Sequence, residues 1–356
     1  MSVRTVARET PLRSDAGRSS KILLESGRLR TFGLLTALVV LVAAVMASLA
    51  IGAMSIPVGE VIAAFTAFDD SDAHVVVTEL RVPRTEVGLL VGAALGAAGA
   101  LMQGVTRNPL AEPGILGINA GAAFAVVLAI FLLDISTVVL YAWFALLGAG
   151  VTAVLLYALG SSGGDGATPI KLALAGAVLA ALLTSLTSAV LVFDTQTLDQ
   201  FRFWIVGSIA GRDTSVALSV VPFIGVGLLI ALLAGRWLNA LALGDDVARS
   251  LGQHVGRARV ASGVGFVLLA GGAVAAAGPI AFVGLTVPHV ARALVGPDYR
   301  WIVPYSIVMG AILLLVGDVI GRVVAPPGEL EVGVVTAIIG APFFIWLVRR
   351  RRLAEL

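Results

Sequence analysis

Gln103, Arg107, Asn108 and Glu112 place four polar side chains within ten positions, at the end of an apolar run in the stretch Gly99 to Ala122 (GALMQGVTRNPLAEPGILGINAGA). Polar groups at membrane depth are costly unless they face water or each other. Their types suit hydrogen bonding along a path through the bilayer, which they would line or close. Pro109 pushes Asn108 out of helical geometry, and Pro113 can start the next helix. Arg107 to Pro113 reads as a tight turn with a charge pair. It reads equally as a cytoplasmic constriction, with Asn108 and Leu110 projecting toward its axis.

Bond-making chemistry finds no support. The serines lack a paired histidine and acid at a recognisable spacing. Cysteine is absent and there are only three histidines, which excludes disulfides and thiolate chemistry. His289 has no carboxylate or second histidine nearby and makes a poor metal site. Asp318 is the one carboxylate well inside a predicted span, whereas a proton relay needs a chain of such groups. No GxxxxGK[ST] phosphate loop occurs.

The elements that carry these residues are membrane helices. Hydrophobic residues make up 58% of 356 and charged residues 13%, about half the charge of a soluble domain. Apolar runs of roughly 20 residues recur, each long enough to cross about 30 Å of hydrocarbon. The pattern predicts an all-α polytopic protein with ten spans, near 32–54, 86–106, 114–133, 137–159, 170–192, 215–235, 260–277, 279–295, 302–324 and 333–348. An even count puts both termini on one side. With that side cytoplasmic, 19 of the 24 Lys and Arg residues fall inside, while acidic residues gather outside. This is the positive-inside bias, and nine or eleven spans would destroy it. Residues 1–31 form a basic stretch expected to be a disordered cytoplasmic tail ahead of an uncleaved first span, residues 32–350 the membrane domain, and 351–356 a cytoplasmic C-terminus. No connection is long enough for a nucleotide-binding fold, so ATP-driven work would need a separate polypeptide.

Several other segments invite a role. Arg81 and Arg84 flank Pro83 just outside the second span, against the charge bias. They read as snorkelling side chains or as a docking patch for an acidic partner, which Arg322 could join. Gly88, Gly92, Gly96, Ala100 and Gly104 form a small-residue stripe suited to helix packing or to the border of a wide path. Phe193 to Thr214 suits the membrane–water interface through Phe201, Phe203 and Trp204. In Leu241 to Gly252 (LALGDDVARSLG), Asp245 can cap a short helix that starts after Gly244, and Gly252 can end it. Val247 and Leu251 would present an apolar face, either to the bilayer or to a cytoplasmic ATPase. Gly278 to Arg292 carries two prolines and two glycines and predicts a broken span.

At these residues the chain resembles the FecCD-type permeases, membrane subunits of ABC importers for ferric siderophores, haem and cobalamin. The matching strings are LRVPRT at 80–85, GALMQGVTRNPLAEPGILGINAGA at 99–122, LAG at 174–176, WIVGS at 204–208 and LALGDDVARSLG at 241–252. GPIAFVGLTVPHVAR at 278–292, DVIGR at 318–322 and GELEVGVVTAIIGAPFFIWL at 328–347 follow in family order. The resemblance implies a type II ABC importer permease fold in a bacterial inner (plasma) membrane. A second permease subunit, identical or paralogous, would complete the pathway. Two cytoplasmic ATPase subunits would use ATP and Mg²⁺, and an extracytoplasmic substrate-binding protein would dock above. The chain itself would bind no cofactor, metal or nucleic acid. By motif match, Asn108 and Leu110 would sit at the cytoplasmic gate with Thr184 and Ser185. Leu241, Leu243, Gly244, Asp245, Val247, Ala248, Leu251 and Gly252 would insert into the ATPase cleft. Arg81, Arg84 and Arg322 would meet acids on the binding protein. Glu331 stands where the family has proline. The expected cargo is an iron chelate, foremost a ferric siderophore, with cobalamin or haem as the alternative. An ion-coupled secondary transporter is the rival class.

Overall fold

Among the described residues, ten apolar α-helices and four short ones follow one another along the chain. The computed structural model describes residues 23–350, apart from 25, 113, 115, 116, 136, 163–168 and 327. The basic stretch through residue 22, Pro113 and the C-terminal 351–356 lie outside the described residues. The apolar helices are α1 (Gly27–Ala50), α4 (Val82–Thr106), α5 (Ile118–Leu133), α6 (Val138–Ser161), α7 (Pro169–Phe193), α9 (Thr214–Ala242), α11 (Val255–Ala277), α12 (Val283–Val295), α13 (Tyr299–Val324) and α14 (Val332–Arg350). The short ones are α2 (Val58–Thr66), α3 (Asp72–Val75), α8 (Thr195–Ile205) and α10 (Asp245–Ser250).

Each predicted span has its helix, with shifted ends. α1 begins at Gly27, where Ser26 caps it by accepting the Leu29 N–H, so residues 27–31 belong to the first span and not to the tail. The second span is longer than predicted: Asp72 to Thr106 is one continuous helical run of 35 residues. Val76–Arg81 is π-helical, and this wider turn admits Pro83, which would otherwise break a straight helix. Between α11 and α12 the predicted break is present. Gly278 and Phe282 both have positive φ, and α12 holds only 13 residues, about 20 Å at 1.5 Å per residue.

α4 lies at the centre and packs on α9, α11, α12 and α13. Its small-residue stripe is consumed by this packing. A Cβ on Gly96 would collide with the backbone carbonyl of Ser306 on α13, and one on Gly99 with that of Gly284 on α12. Close backbone approach is what small residues permit where lipid removes the hydrophobic drive for association. Lipid-compatible residues such as Val39, Val154, Val178 and Leu233 cover the exterior.

Candidate functional site

α4 ends at Arg107 in the left-handed region, with φ of 53°. Asn108 then makes an Asx turn: its Oδ1 accepts the Leu110 N–H at 2.9 Å, and its carbonyl accepts the Ala111 N–H at 3.1 Å. Such a turn is a local alternative to continuing the helix. Asn108 is exposed and Leu110 half-buried. At the far end of the turn, Glu112 Oε1 accepts the Phe282 N–H at 2.6 Å, at the break before α12. Burial pushes the Glu112 carboxyl above the ordinary carboxylate range, opposed in part by that N–H. The segment is thus held at the break that precedes α12.

Gln103 departs from expectation. It does not line an open path: it is 1% exposed. Its Nε2 donates to the Leu285 carbonyl at 3.2 Å, and its Oε1 accepts from Arg292 Nη2 at 3.5 Å. Gln103 is a tie between α4 and α12. Arg292 also donates to the Tyr299 hydroxyl at 2.8 Å.

α10 starts directly after Gly244, whose φ of 102° suits glycine. Asp245 does not cap the helix. Its carboxylate instead meets Arg107 Nη2 at 3.2 Å, Arg259 Nη2 at 2.9 Å and Arg249 Nη2 at 3.9 Å. Gly252, at φ of 80°, closes the helix; the Gly252 N–H donates to the Arg249 carbonyl and the Gln253 N–H to that of Ala248. Leu241 and Ala248 are buried, whereas Leu243, Val247 and Leu251 are exposed. The short helix is anchored through Ala248 and leaves Val247 exposed, with Leu243 and Leu251 exposed at its two flanks.

Thr184 and Ser185 lie on an exposed face of α7. Ser185 Oγ donates to the Ala181 carbonyl at 2.8 Å, and Ser188 Oγ to that of Thr184 at 2.9 Å. The serine hydroxyls turn back on the helix, leaving a smooth face. Among the described residues no hydrogen bond links Thr184 or Ser185 to Asn108 or Leu110.

The outer arginines require a correction. Arg81, Arg84 and Arg322 are 6%, 13% and 4% exposed and form no surface patch. Arg81 donates to the carbonyls of Leu49 and Met54, and Arg322 to those of Ser48 and Ile51. Arg84 pairs with Asp318 at 2.8 Å and with Glu329 at 2.7 Å, while Arg322 pairs with Asp318 at 2.9 Å. Because the helix begins at Asp72, these side chains start inside the bundle, where they bond the frayed end of α1 to α4 and α13. Asp318, read in the sequence as an isolated carboxylate, is their shared counterion. Its i,i+4 spacing from Arg322 was the available signal. Arg259, on the cytoplasmic side, carried no comparable sequence mark.

The sequence profile of the FecCD transport family matches residues 40–350. The chain is 46% identical over 311 residues to the "Probable siderophore transport system permease protein YfiZ" of Bacillus subtilis (strain 168), covering 87% of this chain and 93% of that protein. It is 46% identical over 315 residues to the ferric enterobactin transport system permease protein FepD of Escherichia coli (strain K12), covering 88% and 94%. A metal-chelate type ABC transporter solved in an inward-facing conformation superposes with a TM-score of 0.79 at 28% identity, over 90% of this chain and all of that one. With the family profile matched from residue 40 to residue 350 and relatives 46% identical over most of their length, the chain belongs to the FecCD transport family, as a multi-pass membrane protein.

Proposed function

We propose that this chain is the permease subunit of an ATP-binding-cassette importer that moves an iron chelate, foremost a ferric siderophore, across a bacterial inner membrane. The observation that carries this is α10: a structured helix at the cytoplasmic end of a membrane bundle, with Leu243, Val247 and Leu251 facing outward. Exposed apolar side chains rimmed by charge mark a protein contact. The sequence carries no GxxxxGK[ST] phosphate loop, and the partner below would be two ATPase subunits that consume ATP with Mg²⁺. A second permease copy or paralogue would close the pathway along smooth, small-residue faces such as that of Thr184 and Ser185 on α7. Asn108 and Leu110 would form the cytoplasmic gate, and a substrate-binding protein would deliver cargo from outside.

Alternating access then needs little chemistry from this chain. ATP-driven closure of the ATPases would shift α10, and the 107–112 segment would open or seal the inner mouth. Charge relay finds no support in the fold, because the membrane-embedded Asp318 is held between Arg84 and Arg322. The test is reconstitution. Vesicles holding the chain with its ATPase and binding protein should accumulate a ⁵⁵Fe-loaded siderophore only with ATP inside the ATPase compartment. Filling by vesicles that hold this chain alone would refute the proposal.

A further inference from the structure

We infer that Asp245 is a positioning residue whose ion pair with Arg107 ties α10 mechanically to the segment that carries Asn108 and Leu110. This rests on the proposed function and adds the contact that would transmit the ATPase movement within this chain.

The geometry is specific. Asp245 is the first residue of α10, and Arg107 is the residue at which α4 stops. The two are joined at 3.2 Å although 138 positions separate them. Arg259, at the base of α11, grips the same carboxylate at 2.9 Å. Asp245 is 24% exposed and Arg107 38% exposed, so the pair is neither sealed nor free. Asp245 is thereby a hub between three elements: the ATPase-facing helix, the end of α4 and the start of α11. Gly244, immediately before it, has φ of 102° and leaves α10 joined to α9 through a tight glycine corner.

The segment beyond Arg107 is held at its other end by Glu112, which accepts the Phe282 N–H at 2.6 Å. Four residues lie between the two tethers, Asn108 and Leu110 among them. The Asx turn stiffens that interval. A displacement of α10 therefore reaches Asn108 and Leu110 through one ion pair and one turn, and reaches the start of α12 through Glu112. A part-exposed ion pair contributes little to stability. Its effect belongs at the low end of the ~5–150-fold range of coupling between sites.

Arg107→Gln tests this directly. It cuts only the tie to α4, because Asp245 keeps Arg259 and α10 stays anchored. The complete importer is reconstituted, and ⁵⁵Fe-siderophore uptake is divided by ATP hydrolysed. That ratio should fall about fivefold in Arg107→Gln and recover in Arg107→Lys, which restores the charge. In parallel, spin labels at Leu110 and Leu243 should report a distance change on ATP addition in the parent protein and a smaller one in Arg107→Gln. An unchanged ratio, or a label pair that moves as before, overturns the assignment. So does loss of ATPase binding in Arg107→Gln, since the pair would then serve docking and not transmission. Failure of the parent chain to bind any ATPase would instead refute the proposed function.

Discussion

Arg84 on α4 and Asp318 on α13 form an ion pair of 2.8 Å inside the outer end of the bundle, with Asp318 only 2% exposed. Asp318 also holds Arg322, four residues on, at 2.9 Å. The cluster anchors α1 as well, since Arg322 Nη2 donates to the Ser48 hydroxyl at 3.0 Å and that hydroxyl meets the Thr85 hydroxyl at 2.8 Å.

Removing Asp318 should cripple the fold and not merely docking. Asp318→Ala leaves the buried Arg322 guanidinium without its carboxylate and Arg84 with Glu329 alone, and breaking a buried pair from one side costs about 3–5 kcal/mol. Thermal unfolding in detergent should show a large drop in Tm. Asp318→Leu combined with Arg84→Met should recover part of it. A wild-type Tm for Asp318→Ala would remove the cluster from the structural account.

Gly96 should tolerate no side chain. Gly96→Ala drives a methyl group into the Ser306 carbonyl, and overpacking of this kind costs about 1–3 kcal/mol. Gly59, which faces open space, is the control, and Gly59→Ala should leave Tm nearly unchanged. Equal effects at the two positions would contradict the close α4–α13 approach.

Glu112→Gln should keep the fold intact. The amide oxygen can still accept the Phe282 N–H, and the desolvated charge is gone. Glu112→Ala strands that N–H and should cost about 1–3 kcal/mol. Comparing the two melting temperatures at pH 7 decides this, and an Ala variant as stable as the Gln variant would rule out the hydrogen bond as a tether.

Acid should weaken the connection between α12 and α13. The Arg300 side chain, with Asn239 assisting, lowers the Asp298 carboxyl from 3.8 to about 2. Its folded value lies below its unfolded one, so the stabilisation is complete above about pH 4 and is lost as pH falls toward 2. Melting temperatures measured between pH 6 and pH 3 should fall less steeply in Asp298→Asn than in the parent. Parallel slopes would count against it.

Replacing Val247 and Leu251 with aspartate should release the ATPase. Both side chains are exposed, so the fold should survive while the apolar contact does not. Co-purification with the ATPase reads the outcome, and a complex that still purifies whole would move the coupling contact elsewhere.

Much of the architecture was legible along the chain. Ten apolar runs became ten apolar helices, because every backbone polar group in lipid must be satisfied within its own helix. The glycines at 244 and 252 marked the ends of α10, and Gly278 with Pro279 marked the break before α12, whereas Pro288 sits inside the continuous α12. Where the sequence misled, it did so at polar residues. The apolar run places the start of the second span near residue 86, yet a π-helical turn carries the helix back to Asp72. Arg81 and Arg84 consequently lie inside the bundle, and Gln103 is a buried tie between helices.

Crossing lipid is a local property, written in hydropathy and in the sign of the flanking charges, so composition and order of residues suffice to recover it. Choosing a partner is not local. Asp318 meets Arg84 across 234 positions, and Asp245 meets Arg107 and Arg259 from three different elements. Any arginine could have satisfied either carboxylate. Which one does follows from how closely the small faces of α4 let α12 and α13 approach, and that packing exists only once the helices have come together.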